Sequence, residues 1–197
     1  MKRFLVGKRV SLHALEPQHL SSEGPYFSWL DDLSTDIYTE RSRFPNTHQR
    51  MTGYYERACR NDDLVLLGIF ENGTDRHIGN VTLKDLNWFS RRGWLGYMIG
   101  DHDARGKGYA TDAVIMMMYY GFKKLNLNRI FTTITETNTP SLNVAERVGF
   151  EREGFFREHM ILGGEPRNVI AFGVLGREWL PAHQDAIEAV MEDSEAI

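Results

Sequence analysis

The residues best suited to chemistry form a seven-residue stretch in the middle of the chain. They lie between an apolar, strand-like run, Trp94 to Ile99, and a helix-like run, Asp112 to Leu125. A glycine-rich turn from a strand into a helix points several backbone N–H groups in one direction, and the helix dipole adds positive character there. The turn is therefore predicted to bind an anionic group such as a phosphate. Its residues are Arg105, Gly106, Lys107, Gly108, Tyr109, Ala110 and Thr111.

Two common phosphate-binding motifs do not fit this turn. A P-loop has four residues between its first glycine and a Gly-Lys-Ser/Thr ending, and Gly106-Lys107-Gly108-Tyr109 lacks that layout. A dinucleotide fingerprint needs a third glycine, which Ala110-Thr111 does not supply, and it opens a parallel βαβ unit. On this stretch alone, an ordinary glycine-rich loop that caps a helix stays an equal alternative.

A second motif downstream narrows the choice of ligand. Arg105-x-x-Gly108-x-Ala110 resembles the pyrophosphate loop of the GCN5-related N-acetyltransferase (GNAT) superfamily, and Asn138-Thr139-Pro140-Ser141 followed by Val148-Gly149-Phe150 resembles its next motif. One helix and one strand separate the two motifs, and the resemblance runs from about Lys8 to Leu180. The pattern is most similar to the branch that contains ribosomal-protein N-terminal acetyltransferases.

The resemblance implies how acetyl-CoA binds. Its pyrophosphate would lie on the N–H groups of Gly106 to Thr111, and its pantetheine arm would run along Met98, Ile99 and Gly100. Backbone N–H groups near Met98 or Ile99 would hold the thioester oxygen as negative charge develops. Asn138 would either bind the pantetheine or fix the helix that follows it. No metal is implied.

The resemblance also implies direct attack of a neutral amine on the thioester, but two common catalytic positions differ here. Trp94 stands where many members carry a carboxylate, and no tyrosine lies near Ala145. Ser141 is the substitute donor to the departing thiolate, with a purely local helix-capping role as the equal alternative. The candidate bases are Asp85 first and Glu136 second, although either can be a surface carboxylate.

The acceptor is the least determined part of the prediction. A small amine is expected, preferably an amino sugar on a nucleotide carrier. The aromatic and basic residues proposed to contact it are Trp29, Tyr38, Arg43, Phe44 and Trp88. The alternatives are the N-terminal amine of a protein and a CoA-binding sensor without catalysis.

Composition limits the classes of partner. A formal net charge of −4 argues against general nucleic-acid binding. Cys59 is the only cysteine, so no intrachain disulfide or cysteine metal cluster forms. No stretch reaches the length of a membrane span, and a cytoplasmic protein is expected. The oligomeric state stays open, with a homodimer among the options.

The elements that position these motifs follow from periodicity and turn signals. Strands are expected near 9–15, 64–70, 77–83, 94–99 and 129–135, with a C-terminal β-hairpin at 153–175 and helices near 26–33, 46–59, 112–125 and 139–148. Asn46 and Thr139 are expected to be N-caps. The fold class is α/β (α+β), with a mostly antiparallel sheet flanked by helices and a splayed strand pair. A single domain is expected over 1–180, followed by an acidic tail or short helix over 181–197.

Overall fold

The computed structural model of the chain describes residues 3–21, 24–32, 38 and 44–192. Within these ranges the strands are β1 (Arg3–Val6), β2 (Val10–Ala14), β3 (Leu64–Glu71), β4 (Arg76–Asn87), β5 (Arg92–Ile99), β6 (Arg129–Thr135), β7 (Glu151–Leu162) and β8 (Glu165–Leu175). The α-helices are α1 (Pro25–Asp31), α2 (His48–Arg60), α3 (Tyr109–Lys123), α4 (Thr139–Arg147), α5 (Gly176–Ala182) and α6 (Gln184–Val190). The predicted α/β class is confirmed, and the predicted elements occur in the predicted order, with β1 and α5 in addition.

All eight strands belong to one sheet with the order β1-β2-β3-β4-β5-β6-β8-β7. Neighbouring strands are antiparallel except for β5 and β6, which are parallel. That parallel pair is short, because it ends at the pairing of Trp94 with Phe131 while β5 continues to Ile99 and β6 to Thr135. The two strands therefore diverge, which confirms the predicted splayed pair, and the β7–β8 pair confirms the predicted hairpin.

Helix α3 is the centre of the main core. Its three consecutive methionines, Met116 to Met118, are all fully buried, which a helix with one apolar face cannot achieve. The reason is that strands β2, β4, β5 and β6 contact α3 on one side and α4, α5 and α6 contact it on the other. The helix begins at Tyr109 rather than at the predicted Asp112, because Gly108 takes the N-cap position.

The start of α2 differs by one residue from the prediction. Thr47, not Asn46, is the N-cap, since its hydroxyl accepts a hydrogen bond from the backbone N–H of Arg50 at 3.2 Å. The Asn46 side chain instead donates to the carbonyl of Phe27 at 3.1 Å. The asparagine therefore joins α2 to α1 rather than capping α2.

Helices α1 and α2 cover a second apolar cluster that contains stacked histidines. The ring of Phe70 lies between those of His13 and His77, with centroid distances of 4.4 Å and 4.7 Å and interplanar angles of 15° and 14°. Both imidazoles are buried. Burial is the main cause that lowers the pKa of His13, and it lowers the pKa of His77 to about 4. The folded protein therefore holds both rings neutral at pH 7.

This burial predicts that the protein loses stability in mild acid. Between the unfolded pKa of about 6.5 and the folded pKa of about 4, the unfolded chain binds a proton at His77 that the native state does not bind. His77 should therefore lower the free energy of unfolding by about 2 kcal/mol between pH 7 and pH 5. Urea titrations at the two pH values measure it.

A variant and a matched control identify the group responsible. His77→Gln should reduce the difference between the two pH values, whereas the same change at the exposed His159 should leave it unaltered. An equal pH dependence in wild type and His77→Gln would contradict the assignment.

The C-terminal segment packs on the domain through α6. Ile187, Val190 and Met191 are buried in the main core, and the carbonyl of Val190 accepts a hydrogen bond from the amide of Lys8 at 2.8 Å. The predicted boundary after residue 180 falls inside α5. None of the helices in the described ranges combines the length and apolarity needed to cross a bilayer.

Candidate active site

The predicted phosphate-binding turn lies between the end of β5 and the start of α3. Gly106 and Gly108 have φ of 74° and 82°, in the left-handed region that favours glycine. Gly108 is the N-cap and has no side chain with which to cap the helix. The first four amides, Gly108 to Thr111, therefore have no partner within the helix. Unpaired donors at the positive end of a helix dipole suit an anionic ligand.

An ion pair between a half-exposed arginine and a buried aspartate supports this turn on one side. The Arg9 guanidinium forms two hydrogen bonds with the Asp112 carboxylate, from Nε at 2.7 Å and from Nη2 at 2.6 Å. Arg9 also donates to the carbonyls of Lys107 at 3.0 Å and Gly108 at 3.5 Å. Because the carbonyls point back to Arg9, the opposite side of the turn is left to its amides. Sequence analysis missed this clamp, since 103 positions separate its two partners.

The end of β5 offers fewer groups to a ligand than predicted. The amide of Gly100 already donates to the carbonyl of Ile78 at 3.0 Å, so it is not available to pantetheine. The carbonyl of Ile99 accepts a hydrogen bond from Arg105 Nε at 3.1 Å. Of the predicted trio at 98–100, Met98 is the member that lines the large cavity described below.

A cavity of about 960 Å³ occupies the splay between β5 and β6. Its walls come from both faces of the sheet. On one face it is lined by Asn80, Thr82 and Lys84 of β4, which alternate with fully buried residues such as Val81. On the other face it reaches the main core and α4, including Tyr97 of β5. Two reactants can therefore approach from opposite faces and meet at the gap.

The start of α4 lies at this gap. Asn138, not the predicted Thr139, is the N-cap, and its side chain accepts a hydrogen bond from the amide of Ser141 at 3.3 Å. The structure thus places Asn138 in the second of its two predicted roles, that of fixing the helix. Pro140 fits at the second helical position because its missing N–H needs no partner there. Both Asn138 and Ser141 line the cavity.

Ser141 has a neighbour that no local pattern predicts. Its side chain lies close enough to the Tyr97 hydroxyl to act on the pKa of that phenol, and Tyr97 is partly buried. Burial raises the pKa of Tyr97, so the phenol stays protonated at neutral pH. The sequence pointed to Tyr97 only in part, because the residue lies in the strand that the family motif identified. Its orientation toward α4 depends on the splay.

The two carboxylates predicted as bases occupy different surroundings. Asp85 is exposed at a β-bulge in β4, has a φ of 52°, and lines the rim of the cavity. Glu136 is not among the described residues that line the cavity, because its carboxylate accepts hydrogen bonds from both the backbone and the side-chain amide of Asn168. Of the two, Asp85 is therefore the carboxylate that lines the cavity.

The aromatic and basic residues proposed to contact the acceptor fall into three groups. Tyr38 and Phe44 line the cavity as expected. Trp29 is buried over Gly100, and Trp88 lies at the exposed β4–β5 turn, where its indole N–H donates to the carbonyl of Asp62. Arg43 lies outside the described residues. Trp94 of β5 lines the cavity instead, and the Lys84 ammonium lies 4.1 Å from its ring centroid.

Comparison with known proteins agrees with this geometry. The model of the acetyltransferase (GNAT) domain matches residues 9–151, which contain the turn, the splay and α4. A probable N-acetyltransferase of Bacillus subtilis, YjcK, is 33% identical over 139 residues, covering 69% of this chain and 74% of the relative. The spermidine N(1)-acetyltransferase of Escherichia coli is 29% identical over 106 residues, covering 54% and 56%. An uncharacterised N-acetyltransferase of Bacillus licheniformis is matched over 59% of its length.

Solved structures share the fold as well. The spermidine N-acetyltransferase of Vibrio cholerae, solved in complex with CoA and spermine, has a TM-score of 0.79. The match covers 87% of this chain and 98% of that one at 21% identity, so it is evidence for the fold alone. A GNAT-family acetyltransferase of Bacillus anthracis has a TM-score of 0.75. The chain therefore belongs to the acetyltransferase (GNAT) family of acyltransferases, whose acetyl donor is acetyl-CoA.

Proposed function

We propose that this protein transfers the acetyl group of acetyl-CoA to the primary amine of a small molecule, and that the acceptor is an amino sugar, such as one linked to a nucleotide. The observation that carries the proposal is the cavity at the splay, because it joins the two faces of the sheet beside a turn suited to pyrophosphate. A donor on the α4 side and an acceptor on the α1–α2 side would meet there.

The donor would be held mainly by backbone groups. The amides of Gly108 to Thr111 would bind the pyrophosphate, with Gly106 allowing close approach and Arg105 and Lys107 supplying positive charge. The pantetheine arm would pass Met98 and the N-terminus of α4. This arrangement leaves the thioester at the gap beside Tyr97 and Ser141.

The chemical step would be direct transfer. The amine nitrogen attacks the thioester carbonyl carbon, a C–N bond forms, and the C–S bond breaks with its electron pair leaving on sulfur. Asp85 at the cavity rim would take the proton that the amine loses, through water. Tyr97, beside Ser141, would donate a hydrogen bond to the departing thiolate, which then takes a proton from solvent while Asp85 releases the amine's proton to solvent. Positioning of the two reactants would supply much of the remaining acceleration.

We expect Tyr97→Phe to lower kcat by about tenfold or more, while acetyl-CoA affinity stays within about twofold of wild type. The reason is that the variant removes the buried hydroxyl but keeps the ring that packs in the core. Ser141→Ala should have a smaller effect in the same direction, since it removes only a polar neighbour of that hydroxyl. Steady-state kinetics together with calorimetric titration of acetyl-CoA separate the two quantities.

Tyr120→Phe is the matched control, because that partly buried tyrosine on α3 is not among the residues lining the cavity. If Tyr97→Phe turned over like wild type, Tyr97 would have no part in the chemistry.

The function itself is tested by a thiol-release assay with acetyl-CoA against a panel of amines. The panel holds glucosamine, UDP-glucosamine, spermidine and a short peptide with a free N-terminus. Turnover of the amino sugars supports the proposal, and turnover of the peptide alone supports protein N-terminal acetylation instead. Acetyl-CoA binding without turnover of any amine would support a sensor. Spermidine belongs in the panel because relatives carry that activity in their names.

A further inference from the structure

Asn80 in the middle of β4 has a buried polar group with no partner. The residue is 4% exposed, and no described group accepts a hydrogen bond from its Nδ2. Unpaired buried donors are rare because each costs roughly 1–3 kcal/mol in lost hydration. Asn80 also lines the cavity at the splay and pairs across the strands with Met98. Asn80 therefore belongs to the wall of the acceptor half, and its Nδ2 is buried there without a described partner.

The orientation of the Asn80 amide follows from its neighbour His77. His77 Nε2 lies 2.9 Å from the carbonyl of Gly79 and 3.0 Å from the Asn80 side-chain oxygen. A carbonyl only accepts, so Nε2 must carry the hydrogen, and the Asn80 atom that faces it must be the oxygen. The NH2 group is thereby turned away from His77. The histidine acts as a fixed support for the amide.

The charges on the described part of the cavity lining do not complement a polycation. Among the described residues that line it, Arg50, Arg57 and Lys84 are basic and Asp85 is acidic. Arg57 pairs with Asp63 outside the cavity at 2.6 Å, which leaves two cations against one carboxylate. A protonated polyamine carries only hydrogen-bond donors, so it can satisfy neither the Asn80 donor nor Lys84.

We propose that Asn80 is a specificity-determining residue whose Nδ2 donates to a hydroxyl or other oxygen of the acceptor close to its amine. The substrate class is therefore an oxygen-bearing amine, such as an amino sugar, rather than a polyamine. This inference rests on the proposed function. Asn80 would contact the acceptor on the α1–α2 face of the sheet. The thioester would reach the gap from the other face, on the α4 side.

The test compares kcat/KM for UDP-glucosamine and glucosamine with kcat/KM for spermidine, all at saturating acetyl-CoA. Wild type should prefer the sugars. Asn80→Leu should lower kcat/KM for the sugars by about tenfold, since a site that binds a substrate oxygen loses that bond. Asn80→Asp should shift the ratio further, by about a hundredfold toward spermidine, because a carboxylate then faces the cavity.

Asn143→Asp is the matched control, since it makes the same change at an exposed residue of α4 that does not line the cavity. Thermal unfolding of each variant checks that it folds. A wild-type preference for spermidine, or a ratio that neither Asn80 variant alters, would overturn the inference while leaving the acetyltransferase function in place. If no amine is turned over although acetyl-CoA binds, the proposed function fails, and the inference falls with it.

Discussion

Gly108→Val is expected to weaken acetyl-CoA binding by on the order of a hundredfold, with the fold retained. Two physical effects combine. A β-branched side chain is strained at a φ of 82°, so the turn shifts away from its present backbone. The new side chain would also begin 3.1 Å from Arg9 Nη2, at the clamp that orients the turn. Isothermal titration with acetyl-CoA gives the affinity.

Gly164→Val is the matched control for this prediction. Gly164 has a nearly equal φ of 84° in the β7–β8 turn, and an added Cβ there meets no atom within 4 Å. The control therefore carries the same backbone strain far from the turn, and its acetyl-CoA affinity should equal that of wild type. If Gly108→Val bound acetyl-CoA as tightly as wild type, the assignment of this turn as the pyrophosphate site would be wrong.

Arg9→Ala is expected to lower the free energy of unfolding by about 3 kcal/mol and to weaken acetyl-CoA binding. The side chain of Asp112 is 7% exposed, so removal of Arg9 leaves a buried carboxylate without its partner. Removal also frees the carbonyl of Lys107, so the turn loses the bond that fixes its orientation. Chemical denaturation and titration with acetyl-CoA measure the two effects separately.

A double-mutant cycle shows whether the Arg9–Asp112 ion pair causes the loss of stability. Adding Asp112→Ala to Arg9→Ala should recover part of the lost stability, because the unpaired charge is then gone. Arg152→Ala is the control, since its ion pair with Glu146 is exposed and should contribute less than about 1 kcal/mol. Strict additivity of the Arg9 and Asp112 substitutions would rule out the clamp.

Local sequence was sufficient to predict the elements whose conformation depends on residues adjacent in the chain. The turn from 105 to 111 combines two glycines with a following helix, and both glycines have the positive φ that the pattern requires. Strand β6 has the predicted bounds because its run of β-branched residues favours a strand. The N-caps were each misplaced by one residue, because several adjacent side chains are able to cap and tertiary packing selects among them.

What the sequence by itself determined is the family, the fold class and the turn suited to the acetyl donor, since these depend on residues close together in the chain. Only the tertiary structure decided which side chains meet at the splay. Arg9 reaches Asp112 across 103 positions, and Tyr97 lies beside Ser141 because β5 diverges from β6. Asn80, in the cavity wall, keeps a buried Nδ2 without a described partner because His77 holds its oxygen. Such contacts follow from strand order and register, which bring distant residues together, and no local pattern in the chain encodes them.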